Sequence, residues 1–119
     1  MNVPTWELRY LQQNRKLDEN EIAQKLASLD GWRIQDGKLS RSFKFAGFEE
    51  AIAFIVRIAL EIEKIDHHPE MVNEYSTVTF RLTTHKIRNP DGTVSSGISL
   101  LDFELASRID AHFRNYTSG

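Results

Sequence analysis

Residues 32–45, WRIQDGKLSRSFKF, decide how the chain is read. Apolar and polar residues alternate on both sides of Asp36-Gly37. A two-residue Asp-Gly loop accepts the positive φ angles of a type I′ turn, so the segment is predicted to be a β-hairpin. Trp32 and Ile34 fall on one face of its first strand. Leu39, Phe43 and Phe45 share one face of its second. A hairpin needs further strands or a helix against its apolar face to be stable, and the rest of the sequence must supply them.

Downstream, STVTFRLTTH (76–85) alternates in the same way. Val78, Phe80 and Leu82 face one side; Thr77, Thr79, Arg81, Thr83 and His85 face the other. MVNEY (71–75) reads as a short strand before it, and NPDGT (89–93) as a turn after it. Helical periods fill the gaps. LDENEI (17–22) carries a capping box, Asp18 with Glu21, and opens a helix expected to run through Leu29 and stop at Gly31. FEEAIAFIVRIALEIEKI (48–65) places Phe48, Ala51, Ile52, Ile55, Ile58, Ala59 and Ile62 at core spacing. Ala53, Phe54, Val56 and Leu60 make a second apolar flank, which faces either another subunit or a deeper part of the same core. Ser99 caps a last helix with the stripe Leu101, Leu105, Ile109, Phe113 and Tyr116. The order α-β-β-α-β-β-α predicts an α+β fold, a four-stranded antiparallel sheet with three main helices on one face. Residues 1–16, with Trp6, Tyr10 and Leu11 in what reads as a short helix, are expected to be an N-terminal extension of a domain spanning 17–119.

Length and composition bound the function. A chain of 119 residues, 40% hydrophobic and 27% charged, fits one globular domain. A formal net charge of −2 offers no basic field, so direct nucleic-acid binding is not expected. No stretch is apolar enough for a membrane anchor or signal peptide. The absence of cysteine rules out disulfides and thiolate metal sites and fits a reducing, cytoplasmic setting.

The candidate chemistry lies in IDHHPEMVNEY (65–75). Two of the chain's 4 histidines, His67 and His68, stand where a helical pattern ends. Pro69 keeps His68 out of helical geometry. Antiparallel pairing of 71–75 with 77–85 would return His85 to the same turn. Histidine exchanges protons near neutral pH, Glu63 lies one helical turn before His67, Asp66 is adjacent, and Thr83 and Thr84 flank His85. Three imidazoles with carboxylates and hydroxyls suit general acid–base catalysis. Taken alone, an adjacent histidine pair in a turn is more often solvated surface. His67, His68 and His85 as a zinc site ranks below the acid–base reading, because adjacent histidines seldom aim at one ion and no H-E-x-x-H spacing is present. His112 stands alone in the last helix and is assigned no role.

These residues carry a resemblance. Glu63, His67, His68, Pro69, Tyr75, Thr84, His85 and Asp102, in that order, with LDGW (29–32) and F-x-F (43–45), resemble the pterin-4a-carbinolamine dehydratases over roughly residues 17–116. The resemblance implies a dehydratase acting on 4a-hydroxytetrahydropterin through His67, His68 and His85. Glu63, Asp66, Pro69, Met71, Thr83, Thr84 and Asp102 would surround the substrate. It implies no metal or organic cofactor, a homodimer or homotetramer, and for some members a regulatory protein partner. The alternative it leaves is a non-catalytic dimerisation or regulatory binding module of the same fold. The chain departs from the family pattern in three places. Met71 stands where an aromatic is frequent, residues 86–96 lengthen the link to the last helix, and Leu101 replaces a residue that is basic in some relatives.

Overall fold

The computed structural model describes residues 15–118. The short helix read at Trp6, Tyr10 and Leu11 lies outside them. Helix α1 (Glu19–Leu26) is followed by the hairpin β1 (Arg33–Gln35) and β2 (Lys38–Lys44) and by helix α2 (Phe48–Ile65). Strands β3 (Glu70–Glu74), β4 (Thr77–Leu82), β5 (Thr84–Arg88) and β6 (Val94–Gly97) lead to helix α3 (Leu100–Ser118). The main sheet has the order β1-β2-β4-β3 and is antiparallel throughout. The expected α+β architecture is the one observed. The longer 86–96 link folds into part of a separate two-stranded ribbon, β5 with β6.

Local chemistry explains the element ends. Asp36 and Gly37 take φ of 52° and 75°, as a type I′ turn requires. At the start of α1, Asp18 Oδ1 accepts from the Glu21 amide at 2.8 Å, and Glu21 Oε1 accepts from the Asp18 amide at 3.2 Å. The capping box is therefore present on both arms. That helix is shorter than expected: it ends at Leu26, and turns carry the chain through Leu29 to Gly31. Gly31 has φ of 87°, and a Cβ there would lie 2.8 Å from Arg41 Nε. The glycine thus answers both a left-handed backbone and a close approach.

One face of the sheet is dry. Leu39, Phe43, Val78, Phe80 and Leu82 are fully buried beneath α2 and α3. Phe43 is central, with ring centroids 4.8 Å from Phe113, 5.7 Å from Phe54 and 5.8 Å from Phe80. The other face is polar; Ser42 and Thr79 hydroxyls meet across it at 2.7 Å. On α2 the buried arc is Ala51, Phe54, Ile58 and Ile62. Of the second apolar flank, Phe54 takes the core alternative, whereas Phe48 and Ile52 of the expected core stripe are exposed. Val56 and Leu60 remain largely open, at 58% and 64% exposure.

Two polar joints tie α3 to the rest. Trp32 Nε1 and Arg41 Nη1 donate to Asp110 Oδ1 at 2.8 and 2.9 Å. Burial pushes the Asp110 carboxyl up, against the pull of these two donors. On α2, Glu61 accepts from Arg108 at 2.7 Å and meets His112 Nε2 at 3.1 Å. His112 is thus half of an interhelical contact. The Arg108 hydrogen bond, then that of His112, holds the Glu61 carboxyl down at about 2. An acid depressed in the folded state adds stability above its unfolded pKa of about 4.3, and that stability drains away as pH falls towards 2. Glu61→Gln should therefore lower the melting temperature by about 5 °C at pH 6 and by almost nothing at pH 2. Thermal melts across that range test this; a pH-independent gap would disprove it.

Candidate active site

The chain leaves α2 through Asp66, whose φ of 51° and ψ of 47° place it in the left-handed region. Aspartate tolerates that geometry better than most residues. An irregular stretch of His67, His68 and Pro69 follows before β3 begins. Within this stretch the two histidines meet different surroundings. His67 is buried, at 9% exposure, and its Nε2 lies 2.6 Å from Asp102 Oδ1. The His68 side chain is 62% exposed, with Nε2 3.5 Å from Glu63 Oε1 and Nδ1 4.0 Å from Asp66 Oδ1.

Asp102 has no exposed surface and carries three contacts. Besides the His67 ring, the Thr84 hydroxyl and the Ser99 amide each donate to its Oδ2 at 2.9 Å. The Thr84 hydroxyl has one proton, and it goes to Asp102. The 2.7 Å contact between Thr84 Oγ1 and Ser99 Oγ is therefore a bond in which Ser99 donates. Ser99 Oγ in turn accepts from the Leu101 amide at 3.2 Å. Every lone pair and proton in this chain has one consistent direction. An ionised carboxylate can only accept, so against it His67 presents an Nε2 proton, and Nδ1 is the ring's other nitrogen.

His67, His68 and His85 line one hollow of about 470 Å³, together with Asp66, Thr83 and Thr84. Register explains the gathering. Glu70 pairs with Arg81, so the residues just before β3 lie beside those just after β4. Ile65, Lys86 and Leu101 complete the lining; none of them is assigned to the site from sequence, although Lys86 directly follows His85 and Leu101 precedes Asp102. Of the other residues read as surrounding the substrate, Asp102 sits behind His67. Glu63 stands beside His68 at the rim. Pro69 and Met71 are outside the lining, Met71 partly exposed on the edge strand β3 opposite Phe80. Among the described residues, no group of three or more histidine, cysteine, aspartate or glutamate side chains is placed to hold a metal ion.

A four-stranded α+β domain thus sets three imidazoles around one hollow, one of them against a buried carboxylate. Residues 15–112 match the family model described as pterin 4 alpha carbinolamine dehydratase, and the chain belongs to that family. A protein from Chelativorans sp. described as "Putative pterin-4-alpha-carbinolamine dehydratase" is 43% identical, over 82% of this chain and 94% of its own. One from Prochlorococcus marinus with the same description is 41% identical, over 83% and 95%. The crystal structure of a transcriptional coactivator/pterin dehydratase from Brucella melitensis superposes with a TM-score of 0.69 at 38% identity, covering 82% of this chain and 97% of that one.

Proposed function

We propose that the protein removes water from 4a-hydroxytetrahydropterin to give quinonoid dihydropterin, by histidine acid–base catalysis. The observation that carries this reading is the single hollow lined by His67, His68 and His85 with Asp102 behind it. Hydroxide leaves poorly, so an imidazolium protonates the 4a-oxygen as the C–O bond breaks. A neutral imidazole takes the proton from the neighbouring ring nitrogen, whose electron pair forms the new C=N bond. Water departs, and the count of protons balances without an oxidant. His68 and His85, both exposed side chains at the hollow, are assigned the transfers; His67 binds the ring or shares that role. Asp66, Thr83 and Thr84 hold its polar edges. Glu63, 3.5 Å from His68 Nε2, helps orient that ring, weakly because the pair is exposed. The product is the oxidised pterin that a reductase returns to aromatic amino acid hydroxylases, in a cytoplasmic setting that suits a chain without cysteine.

The exposed strip of α2, with Val56 and Leu60, supports self-association as a dimer or tetramer. The same strip favours a second reading, a regulatory binding surface, in keeping with the coactivator half of the Brucella protein's description. Stopped-flow dehydration of synthetic 4a-carbinolamine tests the first reading. Added protein should accelerate water loss by at least about 10²-fold over buffer, and the active species should sediment above the monomer mass. Buffer-rate dehydration leaves only the binding module.

A further inference from the structure

A second hollow, about 420 Å³ in volume, adjoins the one lined by the three histidines. The two have Thr83 and His85 in common, so these residues form a partition with space on either side. Beyond it, the lining includes Lys16, Lys38, Asp36 and Ser96. We infer that this second hollow receives an anionic substituent carried on the pterin ring, a phosphate monoester or a carboxylate, with Lys16 and Lys38 determining that preference. The inference rests on the dehydratase reading of the histidine hollow and names the class of pterin that it would take.

The two ends of the combined groove differ in charge. At the helix end, Asp66 lines the space with Lys86 beyond His85, and Glu63 stands beside His68, so carboxylates outnumber lysines there. Carboxylates suit the amino-pyrimidinone edge of a pterin, which presents N–H donors. The ring substituent is carried on the opposite edge of the bicycle. With the donor edge at the carboxylates, that substituent projects past His85 into the second hollow.

The charges there favour an anion. Glu70 is shared between Lys38 Nζ and Arg81 Nη1, each at 3.3 Å, so one carboxylate serves two cations. Asp36 offsets one further charge and Lys16 restores it. The balance is one positive charge in excess, in a chain whose formal net charge is −2. Lys16 is also positioned. Its residue bridges to Ser99 at the start of α3, and its stem lies against Gly97, where an added Cβ would come within 3.0 Å of Lys16 Cε. A side chain laid along a wall loses less freedom when it meets a ligand than one hanging in solvent. A neutral polyol substituent would gain nothing from this field.

The test compares three pterins by equilibrium fluorescence titration: a neutral 6-hydroxymethylpterin, its phosphate monoester, and 6-carboxypterin. In the wild-type protein at low salt, at least one of the two anions should bind roughly fivefold tighter than the neutral compound. The preference should shrink below about twofold in about 0.5 M salt. It should also vanish in the Lys16→Met/Lys38→Met variant, whose melting temperature checks that it is folded. A tighter phosphate than carboxylate would identify a monoester as the tail. Equal binding of all three by the wild type overturns the inference and leaves the dehydratase reading standing. Binding of none removes both. A preference that persists in the double variant overturns the assignment to these lysines.

Discussion

With His68 and His85 both replaced by alanine, dehydration of the 4a-carbinolamine should slow by about 10³-fold or more, while the fold stays intact. Positioned acid–base groups contribute about 10²–10⁴-fold each, and these two imidazoles are assigned complementary transfers across one ring. Neither is part of the core. Both side chains are exposed, and the contacts of His68 with Glu63 and Asp66, at 3.5 and 4.0 Å, are loose. The melting temperature should therefore move by less than about 3 °C, as for surface substitutions generally. Association through α2 should survive, because its exposed residues Val56 and Leu60 lie on a different surface. Turnover within threefold of wild type would reject both assignments. Loss of self-association together with activity would instead point to a collapsed fold.

The second large effect is expected at Asp102. Its carboxylate serves the His67 ring, the Thr84 hydroxyl and the Ser99 amide, all in a dry environment. Asp102→Ala strands these donors at about 1–3 kcal/mol each before relaxation. A net loss of about 3 kcal/mol is a conservative figure, and it corresponds to a fall in melting temperature of roughly 15 °C. Asp102→Asn separates stability from chemistry. The amide keeps the shape and one acceptor oxygen. Turned towards His67, its NH₂ donates to Nε2 and moves the ring proton to Nδ1. That variant should melt closer to wild type yet lose about 10²-fold in turnover. The proposal for His67 fails if Asp102→Ala melts within about 4 °C of wild type.

Much of this architecture was legible in the residues, for identifiable reasons. Asp36-Gly37 has few alternatives to a tight hairpin, and Val78, Phe80 and Leu82 have the period of a half-buried strand. The buried arc of α2 was not legible. A helix apolar on both sides does not reveal which arc faces the sheet, so Phe48 and Ile52 fit the core spacing yet are exposed, and Phe54 of the second flank is buried. The end of α1 was misjudged because Leu29 continues the apolar spacing although the backbone has already turned. At the site, the gathering of His67, His68 and His85 followed from antiparallel pairing. Which of two adjacent histidines would meet Asp102 did not, since no periodicity fixes side-chain directions in the irregular stretch between α2 and β3. The Trp32–Asp110 bond joins residues 78 positions apart, and only the folded chain brings them together. Lys16 and Lys38 likewise share a hollow through tertiary placement alone.

The Ser99–Asp102 pair that opens the last helix also orients a histidine 35 positions earlier. The brace is thus made later in synthesis than the ring it holds, and His67 stays unanchored until the first turn of α3 has formed and packed against it.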